Sequence, residues 1–337
     1  MDFNTKLLGT SEEELRYAAG LLARGEIVGM PTETVYGLAA DAENPRAVEK
    51  IFAAKGRPQD NPLIVHIADI ERLEEYAHSI PAIAYRLAEK FWPGPLTMVL
   101  PKKEIIPDVT SAGLNTVGIR MPCHEAARSL IRLSGKALAA PSANISGSPS
   151  PTEAAHVMAD MQGRIPAVVD GGSCPVGVES TVISFEGGAV RILRPGFVSA
   201  EELSEWAEVI CDRHITEAAA EGEKVLSPGM KYKHYSPKAN VTVVDGNEEQ
   251  YLEYVGQHRG DGVCAMIFGS EADKCMIPYI TYGDTSEEQA ANLFAVLRKL
   301  DDIGADQVYA RMPSPEGVGL AVYNRLLRAA GFEVIRL

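Results

Sequence analysis

The sequence predicts an α/β fold in two units, a larger one with an open, mixed sheet and a smaller one with a doubly wound sheet. Apolar segments of strand length alternate with capped or amphipathic segments of helix length along most of the chain, which is the pattern of α/β proteins. The length of 337 residues fits one large domain or two ordinary ones. A change of composition over residues 201–237, ending in a segment with several Pro and Gly, favours two units joined by a linker.

Residues 1–200 form the larger predicted unit. Ser11 and the three glutamates after it are typical of a helix N-cap with an acidic first turn, and Pro45 and Gly56 bracket a second helix. Gly187-Gly188 between two apolar runs predicts a hairpin. The predicted helices cover 11–24, 45–54, 70–77, 81–91 and a segment opening at 151, and the predicted strands cover 27–30, 63–67, 96–100, 117–120, 137–140, 168–170, 180–185 and 190–193.

Residues 201–237 form the predicted linker, which opens with an acidic helix at 201–210, and residues 238–337 form the smaller unit. The linker ends in a segment, 227–237, with three basic or imidazole side chains and two tyrosines. A flexible linker is usually rich in Gly and Ser or in charged residues, so this composition indicates a further role. The smaller unit has predicted strands at 241–244, 262–268, 278–282, 307–310 and 333–337 and predicted helices at 247–256, 285–300 and 318–330.

The charge distribution argues against a general nucleic-acid-binding protein. The formal net charge is −14; residues 1–200 carry 19 lysines and arginines against 23 acidic residues, and residues 201–337 carry 13 against 23. Binding along a nucleic-acid backbone requires a positive field or a strong basic stripe. Any basic surface must therefore be local, and the larger unit is the place to expect it.

Several classes of site and location are also disfavoured. No apolar run reaches the length of a membrane span, the first residues lack the order of a signal peptide, and the five cysteines form no CxxC pair. We therefore expect a cytoplasmic protein with no membrane contact and no structural zinc site. The P-loop, dinucleotide-loop, HExxH and GxSxG motifs are incomplete or missing, which disfavours classical NTPases, dehydrogenases, zinc hydrolases and serine hydrolases.

The motif Lys55-Gly56-Arg57 places two cations in a polar loop directly before an apolar run. Charges of the same sign this close repel each other, and a bound anion relieves that repulsion. Arg offers a planar fork for phosphate or carboxylate, and Lys offers a point charge. Loops on a rigid scaffold commonly carry binding groups, although a solvated turn is the simpler interpretation of this motif on its own.

Further polar clusters stand at the ends of the predicted strands. They are Thr32-Glu33-Thr34, Thr116 with Arg120, Ser142-Ala143-Asn144, Glu179-Ser180-Thr181 and Arg194. Taken alone, the threonines could cap helices, the Ser-Ala-Asn motif could organise a turn, His66 could be a structural imidazole and the arginines could form surface ion pairs. Because ligands of open α/β sheets bind in the crevice at strand ends, we expect these clusters to converge on one cleft.

In this combination and order the motifs resemble the YrdC-type domain. The resemblance rests on residues 26–66, Pro93-Gly94-Pro95-Leu96-Thr97, Ser142-Ala143-Asn144 and Leu193-Arg194-Pro195-Gly196. With the segment 228–237 and the trailing α/β unit, the whole chain resembles the long, two-domain form of the threonylcarbamoyl-AMP synthase family. The resemblance implies a YrdC-like open twisted mixed sheet with a concave cleft, followed by a smaller Rossmann-like domain.

The resemblance also implies an activity and its partners. Members of the family make threonylcarbamoyl-AMP from L-threonine, bicarbonate or CO2, and ATP, and release pyrophosphate. The product serves threonylcarbamoylation of tRNA adenosine next to the anticodon, so the protein is expected to supply a tRNA threonylcarbamoyl transferase. A monomer that contacts tRNA weakly at most is expected, with Mg²⁺ accompanying ATP and no metal site made by the protein itself.

The resemblance assigns roles to individual residues. The implied L-threonine contacts are Thr34, His66, Arg120, Ala140 and Ser180, with Thr181 as the alternative to Ser180. The implied ATP contacts are Lys55, Arg57, Asn61, Thr116, Ser142, Ser150, Arg194 and Tyr235. The implied catalytic set is Lys55, Arg57, Ser142 and Asn144.

The expected chemistry needs positioned charge more than a covalent residue. Arg120 could take the amino-acid carboxylate bidentately, the neutral amine would attack CO2, and a carbamate oxygen would then attack the α-phosphate in line. The segment 228–237, with Tyr232, His234 and Tyr235, is expected to close over the nucleotide as a lid that excludes water.

Two other functions remain open from the sequence. One is an RNA-binding or translation-regulating module, which the negative charge and the absence of an aromatic RNA platform disfavour. The other is a carbamoyltransferase of hydrogenase maturation, in which a related domain occurs together with zinc-finger CxxC segments that this chain lacks.

Overall fold

The computed structural model describes residues 3–212, residue 215 and residues 235–337. Within these residues the chain forms an eleven-stranded sheet followed by a five-stranded sheet, each accompanied by helices. The predicted fold class, α/β in a larger and a smaller unit, is therefore confirmed.

The large sheet is mixed, as predicted. Its strands are β1 (Lys6–Leu8), β2 (Val28–Met30), β3 (Gly37–Asp41), β4 (Ile64–His66), β5 (Leu96–Pro101), β6 (Thr116–Arg120), β7 (Leu138–Ala139), β8 (Ala167–Val169), β9 (Thr181–Glu186), β10 (Ala189–Arg194) and β11 (Val209–Cys211). Their spatial order is β1-β8-β2-β3-β7-β4-β6-β5-β9-β10-β11. Parallel pairs such as β4 with β6 stand beside antiparallel pairs such as β5 with β6.

The helices that accompany this sheet begin and end largely where local sequence dictates. They are α1 (Glu12–Ala23), α2 (Pro45–Lys55), α3 (Leu73–Tyr76), α4 (Ala82–Phe91), α5 (Asp108–Ser111), α6 (Glu125–Ser134), α7 (Ala154–Met161) and α8 (Ala200–Ser204). The Ser11 side chain accepts from the Glu14 amide at the start of α1. Gly56 ends α2 in the left-handed region at φ 62°, which a glycine adopts without strain. Lys55 is therefore the last helical residue, and Arg57 begins the loop.

The acidic helix predicted at 201–210 is confirmed only in its first part, and its predicted extension to residue 210 is wrong. The helix α8 ends at Ser204, and residues 209–211 form β11, which pairs in parallel with β10. The large sheet thus continues past residue 200, into the segment predicted as a linker. The rest of that segment, including Tyr232 and His234 of the predicted lid, lies outside the described residues, apart from residues 212, 215 and 235–237.

The small sheet is entirely parallel, in agreement with the doubly wound prediction. Its strands are β12 (Asn240–Asp245), β13 (Val263–Ile267), β14 (Tyr279–Thr281), β15 (Gln307–Arg311) and β16 (Val334–Arg336), in the order β14-β13-β15-β12-β16. The connecting helices are α9 (Glu248–Gln257), α10 (Ser286–Asp302) and α11 (Gly319–Ala329). Capping boxes at Asn247 and Thr285 fix the starts of α9 and α10.

The two units pack against each other beside the strand ends of the large sheet. Val35, Val176 and Val178 of the large unit belong to the same buried apolar cluster as helices α10 and α11 of the small one. Tyr235 joins this cluster, with its ring centroid 5.1 Å from that of Phe294. No helix in the described part of the chain is long and apolar enough to cross a membrane.

Candidate functional site

A cleft of about 790 Å³, open mouth included, lies where the polar strand ends of the large sheet meet. It gathers most of the residues that the sequence singled out. Those that line it are Thr34, Lys55, Arg57, His66, Arg120, Ala140, Ser142, Asn144, Ser180, Arg194 and Tyr235. Residues up to 201 positions apart in sequence therefore share one surface, as the strand-end argument expected.

Two of the predicted nucleotide contacts lie beside the cleft rather than in its lining. Asn61 is buried, and its Oδ1 has no hydrogen-bond partner among the residues described. Thr116 lines a smaller neighbouring pocket that shares Pro62 and Leu63 with the cleft. Their contact with a nucleotide stays a prediction.

Ser150 and Thr181 are held behind the cleft wall. The Ser150 hydroxyl donates to Glu179 Oε1 at 2.7 Å, and Thr181 Oγ1 donates to the carbonyl of Val198 at 2.6 Å. Ser180 lines the cleft, whereas the Thr181 hydroxyl is directed at the Val198 carbonyl. The geometry therefore favours Ser180 over Thr181 as a ligand contact.

Arg57 brings a partly buried and incompletely partnered cation to the cleft. Burial lowers its pKa to about 10, while Tyr235 and Asp60 act in the opposite direction, so the guanidinium stays charged at neutral pH. Its Nη2 is buried without a hydrogen-bond partner in the described structure. A buried donor without an acceptor is costly, and an anionic ligand would remove that cost.

Lys55 anchors the loop that carries the Ser-Ala-Asn motif. Its buried ammonium donates to the carbonyl oxygens of Ser142 and Asn144, the second at 2.7 Å, and approaches Asn144 Oδ1 at 3.4 Å. Burial lowers the pKa of Lys55 well below its ordinary value, and the neighbouring Arg57 lowers it further. Since these three oxygens occupy its donors, Lys55 here shapes the loop, and the predicted direct contact with a phosphate stays untested.

Asn144 completes this loop from inside. Its amide nitrogen donates to the carbonyls of Ile145 and Ser148, each at 2.8 Å, and its Oδ1 accepts from the Ser142 hydroxyl at 2.6 Å. The loop so formed continues through Ser146–Ser148 along the cleft. The Ser-Ala-Asn motif therefore holds the loop that forms one wall of the cleft, and its Ser142 and Asn144 also line the cleft where a ligand would bind.

Arg120 is the charged residue at the other end of the cleft from Arg57 and the Ser-Ala-Asn loop. Its Nη1 donates to Thr34 Oγ1 at 2.9 Å, its Nε donates to the Gly94 carbonyl at 3.3 Å, and its Nη2 lies 2.7 Å from Glu33 Oε1. Burial disfavours the charged form of Glu33, but the charge of Arg120 outweighs this and lowers the pKa of that carboxyl. The fork expected to be free for a bidentate carboxylate is thus already held by two side chains.

His66 is a buried neutral imidazole beside this arginine. Burial, with the charge of Arg120 as a smaller cause, lowers its pKa to about 3. Its Nδ1 lies 3.3 Å from the Leu138 carbonyl; because a carbonyl only accepts, Nδ1 carries the proton and Nε2 is left as an acceptor. The imidazole can accept a hydrogen bond from an ammonium or hydroxyl, but it is too weak a base to remove a proton from an amine at neutral pH.

Arg194 and Ser180 form the wall between the two ends. Arg194 donates through Nε and Nη2 to the Ser180 carbonyl and through Nη2 to Ser180 Oγ, over 3.0 to 3.2 Å. Thr97 Oγ1 lies 2.8 Å from the same hydroxyl. Burial lowers the pKa of Arg194 to about 10, with Arg325 as the next cause, so this residue too remains cationic.

Tyr235 closes the cleft from the side of the small unit. It is buried at a positive φ of 65°, and burial, followed by the charge of Glu179, raises its pKa. The next residue, Ser236, donates its amide to the Gly147 carbonyl at 3.0 Å and its hydroxyl to the Ala329 carbonyl at 3.0 Å. The described end of the predicted lid therefore touches the Ser-Ala-Asn loop and helix α11 together.

The sequence did not identify the side chains that support these contacts. Glu33 and Glu179 stood in the polar clusters without a role, yet Glu33 pairs with Arg120 and Glu179 pairs with Arg325 at 2.9 Å. Arg325 gave a weak signal, as a charge between the buried Val322 and Leu326 of α11. A charged residue on an otherwise apolar helix face must find a buried partner, but the sequence does not say which.

Two family models match the sequence. Residues 20–196 match the Sua5/YciO/YrdC model, described as "Telomere recombination". Residues 198–331 match the model described as "Threonylcarbamoyl-AMP synthase, C-terminal domain".

Individual proteins match along their whole length. The threonylcarbamoyl-AMP synthase of Pyrococcus abyssi is 47% identical over 97% of this chain and 96% of its own length, and that of Bacillus subtilis is 44% identical over 98% and 97%. The structure of P. abyssi Sua5 complexed with L-threonine superposes with a TM-score of 0.90 at 43% identity, covering 99% of this chain and 100% of that chain. This chain therefore belongs to the Sua5/YrdC family of threonylcarbamoyl-AMP synthases, in the two-domain form that adds the Sua5 C-terminal domain.

Proposed function

We propose that this protein is a threonylcarbamoyl-AMP synthase, which joins L-threonine, bicarbonate or CO2 and ATP and releases pyrophosphate. The observation that carries the proposal is an excess of positive charge in one cleft. The cations that line it are Lys55, Arg57, Arg120 and Arg194. The one carboxylate in its described lining, Glu179, is already paired with Arg325. Such a cleft attracts a polyanion like ATP, and similarity to proteins of that name over the full chain supports the assignment.

L-threonine is assigned to the end of the cleft around Arg120. The guanidinium supplies charge opposite the amino-acid carboxylate. Because Arg120 already donates to Thr34 and forms an ion pair with Glu33, the carboxylate replaces the Thr34 contact. His66 Nε2 accepts from the ammonium or hydroxyl of the substrate, which orients it. Ala140 and Ser180 border the same end, and the P. abyssi protein of known structure binds L-threonine.

ATP is assigned to the end around Arg57, the Ser-Ala-Asn loop and Tyr235. The neutral amine of threonine adds to CO2 and releases one proton to water, which gives a carbamate. One carbamate oxygen then attacks the α-phosphate, and pyrophosphate leaves. The charge that develops in this in-line transfer is stabilised by Arg57 and Arg194, while Lys55 holds the loop in place. Positioning and charge stabilisation are the main demands of such a transfer.

Mg²⁺ is part of the proposal as an ion that arrives with ATP. In residues 3–212, 215 and 235–337, no group of three His, Cys, Asp or Glu side chains could hold a metal. The ion would therefore be held by phosphate oxygens and water, as is common for Mg²⁺.

A cytoplasmic location, transfer of the product to a tRNA threonylcarbamoyl transferase and a monomeric state with weak tRNA contact belong to the proposal as well. All five cysteines are free, which is compatible with a reducing compartment.

The proposal is tested by measuring pyrophosphate release from ATP and Mg²⁺, with and without L-threonine and bicarbonate. The nucleotide product is identified by mass as a threonylcarbamoyl adduct of AMP. We expect release to require both co-substrates. Arg57→Ala should reduce kcat/KM by about 30- to 1,000-fold, the effect of about 2–4 kcal/mol lost from transition-state stabilisation.

The control is Arg46→Ala, which removes an exposed arginine at the start of the helix that ends at Lys55. It should leave kcat/KM within about twofold, because a solvated arginine contributes little. A folded protein that binds ATP and forms no adduct would refute the proposed function.

A further inference from the structure

Arg325 is a fully buried arginine through which the small unit reaches the Glu179–Arg194 wall of the cleft. Arg325 lies on α11 and has no exposed side-chain surface. Its Nε donates to Glu179 Oε2 at 2.9 Å and its Nη1 to the Pro195 carbonyl at 2.8 Å. Both acceptors belong to the large unit, and Glu179 and Pro195 directly adjoin Ser180 and Arg194 of the cleft wall.

Each carboxylate oxygen of Glu179 is held by one of these contacts or by Ser150. Its Oε2 accepts from Arg325, and its Oε1 accepts from the Ser150 hydroxyl at 2.7 Å. Burial opposes the charged form, but the charges of Arg325 and then Arg194 outweigh it, so the pKa of Glu179 is lowered. The residue is therefore a buried carboxylate with one partner on each oxygen.

Arg194 stands beside this carboxylate and makes no hydrogen bond to it. Its Nε and Nη2 donate to Ser180, and its Nη1 has no acceptor among the described residues. An arginine next to a free carboxylate would form a bidentate pair with it. Here Arg325 and Ser150 each hold one oxygen of Glu179 and so fix the orientation of its carboxylate, and in this orientation Arg194 donates to Ser180 instead.

We propose that Arg325 is a positioning residue of the cleft, which holds Glu179 and thereby leaves the Arg194 guanidinium available to an anionic ligand. The inference rests on the proposed function in identifying that anion as ATP. Without Arg325, Glu179 would take Arg194 as its partner and withdraw it from the ligand. The small unit would then contribute to nucleotide binding without touching the nucleotide.

The test is ATP binding by calorimetry with the full-length protein, in the presence of Mg²⁺. Arg325→Met removes the charge and should weaken ATP binding by about 10- to 100-fold, the usual effect of losing a hydrogen bond to a charged group. In steady-state kinetics, KM for ATP should rise by a similar factor, while KM for L-threonine should change less than about threefold. Arg325→Lys, which keeps a charge without the fork, should bind ATP with intermediate affinity.

Two further variants separate this account from a loss of fold stability. Glu179→Gln combined with Arg325→Met removes the carboxylate that would capture Arg194, so ATP affinity should return to within about threefold of the wild type. Arg311→Met removes another largely buried Arg–Glu pair of the small unit, Arg311–Glu271 at 2.9 Å. It should lower the melting temperature as Arg325→Met does and leave ATP affinity unchanged.

The outcomes are distinct. Equal ATP affinity in the wild type and Arg325→Met, or no recovery in the double variant, would overturn the inference. A wild-type protein that binds ATP but forms no threonylcarbamoyl adduct would overturn the proposed function instead, because the binding measurement does not depend on turnover.

Discussion

At the scale of single residues, burial decides what each charged group can do. Lys55 and Arg57 are two positions apart in sequence. Lys55 ends a helix and donates to the carbonyls of a loop, while Arg57 has a buried nitrogen that finds no acceptor among the described residues. The motif therefore combines a structural cation and a cation free to bind a ligand. A lysine point charge suits several carbonyls at once, and a guanidinium fork suits phosphate.

His66 gives a prediction for the dependence of stability on pH. Its pKa is about 3 in the folded protein and about 6.5 in an unfolded chain. Between these values the unfolded state binds a proton that the folded state does not, so the stability present above pH 6.5 is lost as the pH falls towards 3. The loss should approach about 1.4 kcal/mol per pH unit for this one group.

His66→Gln keeps a donor for the Leu138 carbonyl and cannot titrate in this range. We expect its free energy of unfolding in urea to fall about 2 kcal/mol less than that of the wild type between pH 6.5 and 4.5. The neighbouring charges Arg120 and Glu33 are retained in both proteins, so their contribution cancels. His258→Gln, at an exposed position, is the control, and identical pH slopes for His66→Gln and the wild type would contradict the prediction.

At the scale of elements, the cleft depends on close approaches between loops. Gly196 follows β10 and passes directly over the backbone of residues 179–181. A Cβ at this position would lie 2.2 Å from the Thr181 nitrogen and 2.5 Å from the Ser180 carbonyl carbon. No side chain fits there, so the glycine permits the crossing that sets Arg194 against Ser180.

Gly196→Ala should therefore destabilise the protein and disturb the cleft together. The backbone of Ser180 must move to admit the methyl group, at a cost of about 1–3 kcal/mol, and KM for L-threonine should rise. The control is Gly256→Ala in α9, where an added Cβ meets nothing within 4 Å. That change should raise stability by about 0.5–1 kcal/mol. Thermal unfolding and steady-state kinetics of both variants measure this, and a Gly196→Ala protein as stable and active as the wild type would contradict it.

Elements with strong apolar patterns or caps were predictable from the sequence, and elements made by tertiary contacts were not. Helices α1 and α2 carry their caps in the sequence, and β4 and β5 are β-branched or apolar runs. The strand β3, Gly-Leu-Ala-Ala-Asp, has low strand propensity and is a strand because it is buried between β2 and β7. The acidic composition of residues 201–210 predicts one helix, but the helix ends at Ser204, and residues 209–211 pair with the open edge of β10.

The same distinction applies to the site. Its motif residues are short-range signals, and eleven of them line the cleft. Their supporting partners are long-range pairs such as Arg325 with Glu179, 146 positions apart. From the sequence alone, Arg325 is recognisable only as a charged residue on an apolar helix face. The packing of the two units is needed to show that Glu179 is the carboxylate that pairs with it.

At the scale of the whole molecule, the small unit stabilises two walls of the cleft at once. Arg325 of α11 holds the wall around Glu179, and Arg298 of α10 holds the wall formed by the Ser-Ala-Asn loop. Arg298 donates to both oxygens of Asp160 at 2.8 and 3.1 Å and to the Pro149 carbonyl at 2.5 Å. Asp160 Oδ2 in turn accepts from the Ile145 amide at 3.3 Å, so the contact reaches the Ser-Ala-Asn loop.

This arrangement predicts that a change in the small unit alters the unfolding of the large one. Both tryptophans of the chain, Trp92 and Trp206, pack in or against the core of the large sheet, so their fluorescence in urea reports the unfolding of that unit. Arg298→Met should shift this transition to lower urea. In a double-mutant cycle with Asp160→Asn the coupling should be about 1–3 kcal/mol, as for a partly buried, bidentate pair.

The matched control is the exposed pair Arg16–Glu12 on α1, with side chains 62% and 76% exposed. Its coupling in the same measurement should be several times smaller, because water screens the charges and both side chains lose entropy when they pair. If Arg298→Met left the tryptophan transition unchanged, the two units would unfold independently and the small unit could not stabilise the cleft. A shift with a coupling as weak as that of the exposed pair would instead show that Arg298 acts through the Pro149 carbonyl rather than through Asp160.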